Sequence, residues 1–109
     1  MRNQPAPPHI VFEALTQPDR DPSRPWLALL DDEQPPVISE INGKVAWSAF
    51  WLKRPDAIIE FELTSAGGGT DLRWRLIVEE PPPDDALVGH LRKRVNHLIN
   101  ADLRYSFGN

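Results

Sequence analysis

Three sets of residues in this chain have types and spacings that suit chemistry. His90 and His97 lie seven apart, which on a helix places both on a similar side. A pair of imidazoles suggests acid/base work or a metal site. Metal-binding pairs on helices are spaced three or four, no third ligand accompanies these two, and acid/base work needs a positioned partner. The pair therefore reads as surface or boundary histidine, and so does His9. Glu60, Glu62, Arg73 and Arg75 form the second set. They alternate along two strand-like runs and read as cross-strand pairing on a solvated face, each pair worth about 0–1 kcal/mol. The third set is aromatic: Trp26, Trp47, Trp51, Phe61 and Trp74. Four Trp in 109 residues is dense, and such rings either wall an apolar pocket or fill the core of a small domain.

Other clusters carry less. Asp31, Asp32 and Glu33, and Glu79 with Glu80, lack the spacing of a cation site and read as loop and strand-end charge. Arg92, Lys93 and Arg94 form a short basic run on a wet helix face. Residues 65–70 (SAGGGT) lack the Gly-Lys-Ser/Thr ending of a phosphate loop and join two strands, so they read as a hairpin turn. The chain has no Cys, which excludes disulfides, thiolate nucleophiles and cysteine-held zinc or iron. A net charge of −4 argues against a nucleic-acid footprint. No metal, cofactor, nucleic acid or membrane is expected. The first residues (MRNQPAPPH) break any signal-peptide core with proline, no apolar run is long enough to span a bilayer, and a cytoplasmic location follows by default.

These groups need elements to position them, and the length suits one domain, residues 1–109. Twelve prolines cluster at 5–8, 18–25, 35–36 and 81–83, with Pro55 apart, and mark the connections. Residues 9–17 read as a two-turn amphipathic helix with Ile10, Val11, Ala14 and Leu15 inward and Pro8 at its start. Residues 18–25 read as loop, and 26–30 fit either a strand or a helical turn. Asn42-Gly43 between strand-like runs predicts a two-residue hairpin with Ile41 opposite Lys44 and Ile38 opposite Trp47. Alternation then puts Trp47, Ala49 and Trp51 on one face and Phe50 on the other. Residues 56–64 and 70–80 alternate with period two. A six-residue loop over 65–70 sets Glu62 against Arg73, Glu60 against Arg75, Phe61 against Trp74 and Ile59 against Leu76, and a one-residue slip would set Glu against Leu or Trp. Pro81–Pro83 ends the last strand, Asp84 or Asp85 caps the next helix, and Gly108 follows its end. That helix, to about Arg104, carries Leu87, Val88, Leu91, Val95, Leu98, Ile99 and Leu103 as its apolar stripe. The fold class is α+β: a curved antiparallel sheet gripping one long C-terminal helix, with a short N-terminal helix.

Three stretches carry a family resemblance. Residues 7–19 (PPHIVFEALTQPD), residues 45–51 (VAWSAFW) after Pro36–Glu40 (PVISE), and residues 67–74 (GGGTDLRW) before a proline break and long helix together resemble the START-like, helix-grip (SRPBCC) superfamily, which includes polyketide cyclase/dehydrase-like proteins. The resemblance covers roughly residues 5–107. It implies a pocket between sheet and last helix, lined by Trp47, Phe61, Trp74, Leu91, Val95 and Leu98. The family's first strand should precede its first helix, yet only Met1–Gln4 are available, so this is a reduced version whose sheet exposes an edge.

Three functions follow as expectations. The first is binding of a small hydrophobic or aromatic molecule in that cavity, with Trp indole N–H groups or Ser48 giving direction. The second is a cyclase/dehydrase-like enzyme, which needs an inward acid or base, His97 or Glu40 being the candidates. The third is a homodimeric interaction protein with a filled core.

Overall fold

Period-two alternation in the middle of the chain becomes a four-stranded antiparallel sheet, β1 (Val37–Ile41), β2 (Lys44–Ser48), β3 (Ile58–Ala66) and β4 (Gly69–Ile77), in that spatial order. It is seen in a computed structural model that describes residues 3–18, 26–41, 44–78 and 85–107. The expected contents of 19–25, of the Asn42-Gly43 turn, of 79–84 and of Gly108 lie outside the described residues. Ile38 faces Trp47 and Ile41 faces Lys44, as the turn predicts. Between β3 and β4 all four expected pairs form, Glu62 with Arg73, Glu60 with Arg75, Phe61 with Trp74 and Ile59 with Leu76. The loop is shorter than expected, because the ladder continues to Ala66 opposite Gly69. Gly67 and Gly68 take φ of 54° and 83°, the positive values that a two-residue hairpin turn needs and that glycine adopts at no steric cost. Both loops share one centre, so the register is the same.

The expected alternation fails after Ser48. Ala49 has a φ of 56°, a left-handed conformation that costs a non-glycine residue about 1 kcal/mol. This turn of the backbone swings Phe50 to the same side as Trp47, with rings 5.7 Å apart, and Phe50 and Trp51 are both buried. Residues 32–34 hold the kinked segment: Leu52 N donates to Asp32 O (2.9 Å), Gln34 N to Phe50 O (2.9 Å), and the Gln34 side-chain amide to Ala49 O (2.6 Å).

Helix α1 spans Pro8–Thr16, with proline at its first position. Val11 and Leu15 are buried, whereas Ile10, expected inward, is 37% exposed. Its last carbonyls are satisfied without another turn. Thr16 Oγ1 donates to Phe12 O, Gln17 N to Glu13 O, Trp26 Nε1 to Ala14 O and Trp47 Nε1 to Leu15 O, at 2.8–3.0 Å.

The C-terminal helix begins as α2 (Asp85–His97), widens into a π-helical stretch (Leu98–Leu103) and ends as α3 (Arg104–Ser106). A continuous α-helix was expected. At about 100° per residue, a strict α-helix would set Asp102 about 20° from Leu91, within the stripe, and Leu103 about 120° from Leu91, roughly 40° beyond Ile99 at the stripe's edge. The wider π turn corrects this: Leu103 is fully buried and the Asp102 side chain stays 31% exposed. Leu91, Val95, Leu98, Ile99 and Leu103 join Val11, Leu15, Trp47, Ile59, Phe61 and Leu72 in one buried core.

Just before α1 the chain makes one antiparallel bridge to β4. Gln4 pairs with Thr70, and the Asn3 side chain both accepts from Leu72 N and donates to Leu72 O at 2.8 Å. Gln4 Nε2 then reaches Ile99 O in the π stretch at 2.9 Å. The edge of β4 is thus capped and tied to the last helix.

Candidate functional site

The six residues expected to line a pocket come together. Trp47, Phe61, Leu91, Val95 and Leu98 are each no more than 2% exposed. Trp74 is half-buried, with the Arg92 guanidinium 5.2 Å above its ring. Trp47 meets Phe61 edge-on at 5.2 Å and stacks on Trp26 at 5.8 Å. Trp indole N–H groups are expected to orient a ligand, but those of Trp26 and Trp47 donate to α1 carbonyls. Ser48 Oγ lies 3.5 Å from Val37 O.

Neither acid/base candidate points into the core. The His97 side chain is 63% exposed, with Nε2 3.5 Å from Asp102 Oδ1. Glu40 is exposed on β1. Among the described residues no three His, Asp or Glu gather as a metal site, and no helix is long and apolar enough to cross a membrane.

One charged pair departs from the sequence pattern, which predicts Arg94 on the wet side and Glu33 as loop charge. Their side chains are 11% and 0% exposed. Arg94 Nε donates to Glu33 Oε2 at 2.8 Å and Nη2 to Glu33 Oε1 at 2.9 Å, a bidentate fork. Nη2 also reaches Ala28 O, and Glu33 Oε1 accepts from Leu30 N, both at 2.8 Å. The hydrogen bond that Arg94 donates to Glu33 raises the Arg94 pKa above its already high value, against the opposing effect of burial. Sixty-one residues separate the partners, and no local spacing signals such a pair.

On the outer sheet face the register holds but the ion pairs differ in part. Glu60 pairs with Arg75 at 2.7 Å. Arg73 turns to Asp71 on its own strand at 3.2 Å, and Glu62 faces Lys44 at 3.8 Å. Arg75, Arg73, Lys44 and Glu62 are all more than half exposed, so these contacts are screened and weak.

An apolar opening lies at the inner rim of the sheet, beside β1. A groove of about 250 Å³ is lined by Thr16 and Pro18 at the end of α1, Leu27 and Leu29, Pro35 and Pro36, and Ile38 of β1. Trp26, hydrogen-bonded to α1 and stacked on Trp47, anchors the segment that forms one wall. Pro35 and Pro36 stiffen the other wall by fixing φ. Among the described residues no ionisable side chain lines it, and the Thr16 hydroxyl already donates to Phe12 O. No local sequence signal marks this groove, since its walls come from three separate stretches of chain.

No family model, characterised protein or solved structure matches the chain.

Proposed function

We propose that this chain is a reduced helix-grip module that binds a small apolar molecule, and that the molecule sits in the groove between the end of α1 and β1. The observation that carries the reading is the groove wall itself, apolar and free of ionisable groups among the described residues. Binding there would come from apolar burial. The space between sheet and last helix, where the family resemblance puts a ligand, holds Trp47, Phe61, Leu91, Val95 and Leu98 in the core. That favours the rim over the interior. It also favours binding over acid/base catalysis, because His97 and Glu40 are exposed.

Size limits the affinity. A chain of about six carbons gains about 5 kcal/mol at about 0.8 kcal/mol per CH₂. Less the cost of immobilisation, this corresponds to dissociation constants of roughly 1 mM or weaker. Methyl-labelled NMR with 1-hexanol as probe tests the reading. Shifts confined to Leu27, Leu29 and Ile38 are expected, and Ile38→Asp should abolish them. Shifts at Leu91, Val95 and Leu98 would move the site to the interior, and no shifts at all would remove the reading.

A further inference from the structure

The two edges of the sheet are treated differently. Asn3 and Gln4 cap β4 at Thr70 and Leu72. β1 is the last strand on the other side, and among the described residues no backbone hydrogen bond leaves its outer edge. In a hairpin with two residues between Ile41 and Lys44, those flanking residues form a hydrogen-bonded pair, so the amides of Ile38 and Glu40 point outward. Both side chains lie on the inner face, opposite Trp47 and Val45. Ile38 is a wall of the apolar groove. Glu40 is exposed and makes no ion pair with any described residue. The open backbone, an apolar groove and a free carboxylate two residues away thus share one line.

We infer that β1 receives an extended peptide segment as a fifth, antiparallel strand, with a basic side chain opposite Glu40 and, two residues later, an apolar side chain in the groove beside Ile38. This rests on the groove reading above and names its occupant. The backbone bonds supply the affinity that a small apolar group alone lacks, and the alternate side chains supply selectivity. A second copy of this chain fits the edge less well. Antiparallel self-pairing that keeps the sheet faces aligned sets Glu40 against Ile38, against another Glu40, or against Pro36, which has no amide to give. A lone inward charge on an edge strand is a known guard against such self-pairing.

The test uses the whole chain and a fluorescein-labelled peptide, Ser-Thr-Arg-Thr-Leu-Thr-Ser, read by anisotropy. Replacing its Arg by Glu should weaken binding about fivefold, and replacing its Leu by Ser roughly tenfold. Glu40→Lys should reverse the preference between the Arg and Glu peptides, and bound peptide should slow amide exchange at Ile38 and Glu40. If 1-hexanol still shifts the Ile38 methyl but the peptides show neither the charge preference nor the protection, strand addition falls and the groove reading stands. If neither ligand binds, both fall. If the free protein sediments as a dimer with Ile38 and Glu40 already protected, a second copy holds the edge and the peptide inference is overturned.

Discussion

Arg94 shows what a single residue can carry. It is held by Glu33 through two hydrogen bonds and by Ala28 O through a third, so it clamps the 28–33 segment onto the last helix. A buried pair contributes little net stability, but removing one member strands the other charge and costs about 3–5 kcal/mol. Arg94→Ala is therefore expected to lower the urea midpoint sharply, while Glu33→Leu with Arg94→Met should cost less than Arg94→Ala alone. A double variant worse than the single one would mean that the pair itself stabilises the fold. The sign of the pH effect also follows. A base whose folded pKa is raised contributes fully below its unfolded value and loses that contribution only as pH rises through the folded one. The Arg94 pKa is raised above its ordinary value, so its contribution is constant across neutral pH and is lost only in strong alkali.

At the scale of elements, the π stretch resolves a conflict within the C-terminal helix. The apolar stripe advances with α spacing to Ile99, and a strict α-helix would then carry Leu103 past the stripe's edge and set Asp102 within it. One surplus residue, taken up as a wide turn, restores Leu103 to the core, as π-bulges commonly arise. Gln4 fastens the same stretch through Ile99 O. Deleting exposed Asn100 should therefore convert the stretch to α-helix, keep Leu103 inward and leave Tm close to that of the parent. Deleting exposed Arg92 instead rotates every later residue by about 100° and should abolish cooperative melting by circular dichroism. Equal damage from the two deletions would refute the account. The register of both hairpins was legible because each rests on local signals, the Asn-Gly pair and the Glu/Arg alternation. The π stretch was not, because the helical pattern alone does not say which of Asp102 and Leu103 the sheet will accept.

For the molecule as a whole, the sheet is closed at one end by the chain's own beginning. Asn3 supplies two hydrogen bonds to Leu72, and net values of about 1 kcal/mol per bond make this a modest clamp. Asn3→Ala should speed amide exchange at Leu72 and Thr70 while leaving Phe61, at the centre of β3, unchanged. Unaltered exchange at Leu72 would show that the bridge does not protect the edge. The contrast with β1 gives the molecule a closed side and an open side, and the groove lies on the open one.

By itself the sequence determined the α+β class, both strand registers, the short first helix and the inner stripe of the last one. These depend on period, turn chemistry and charge order over neighbouring residues, which physical chemistry reads locally. Long-range packing is what brings Phe50 to Trp47 across a left-handed Ala49, takes Arg94 from the wet face to Glu33, and sets the indoles of Trp26 and Trp47 at the end of α1. It alone assembled a groove from residues 16, 18, 27, 29, 35, 36 and 38. Each of these depends on groups distant in the chain meeting in one place, where burial rather than spacing selects the partner.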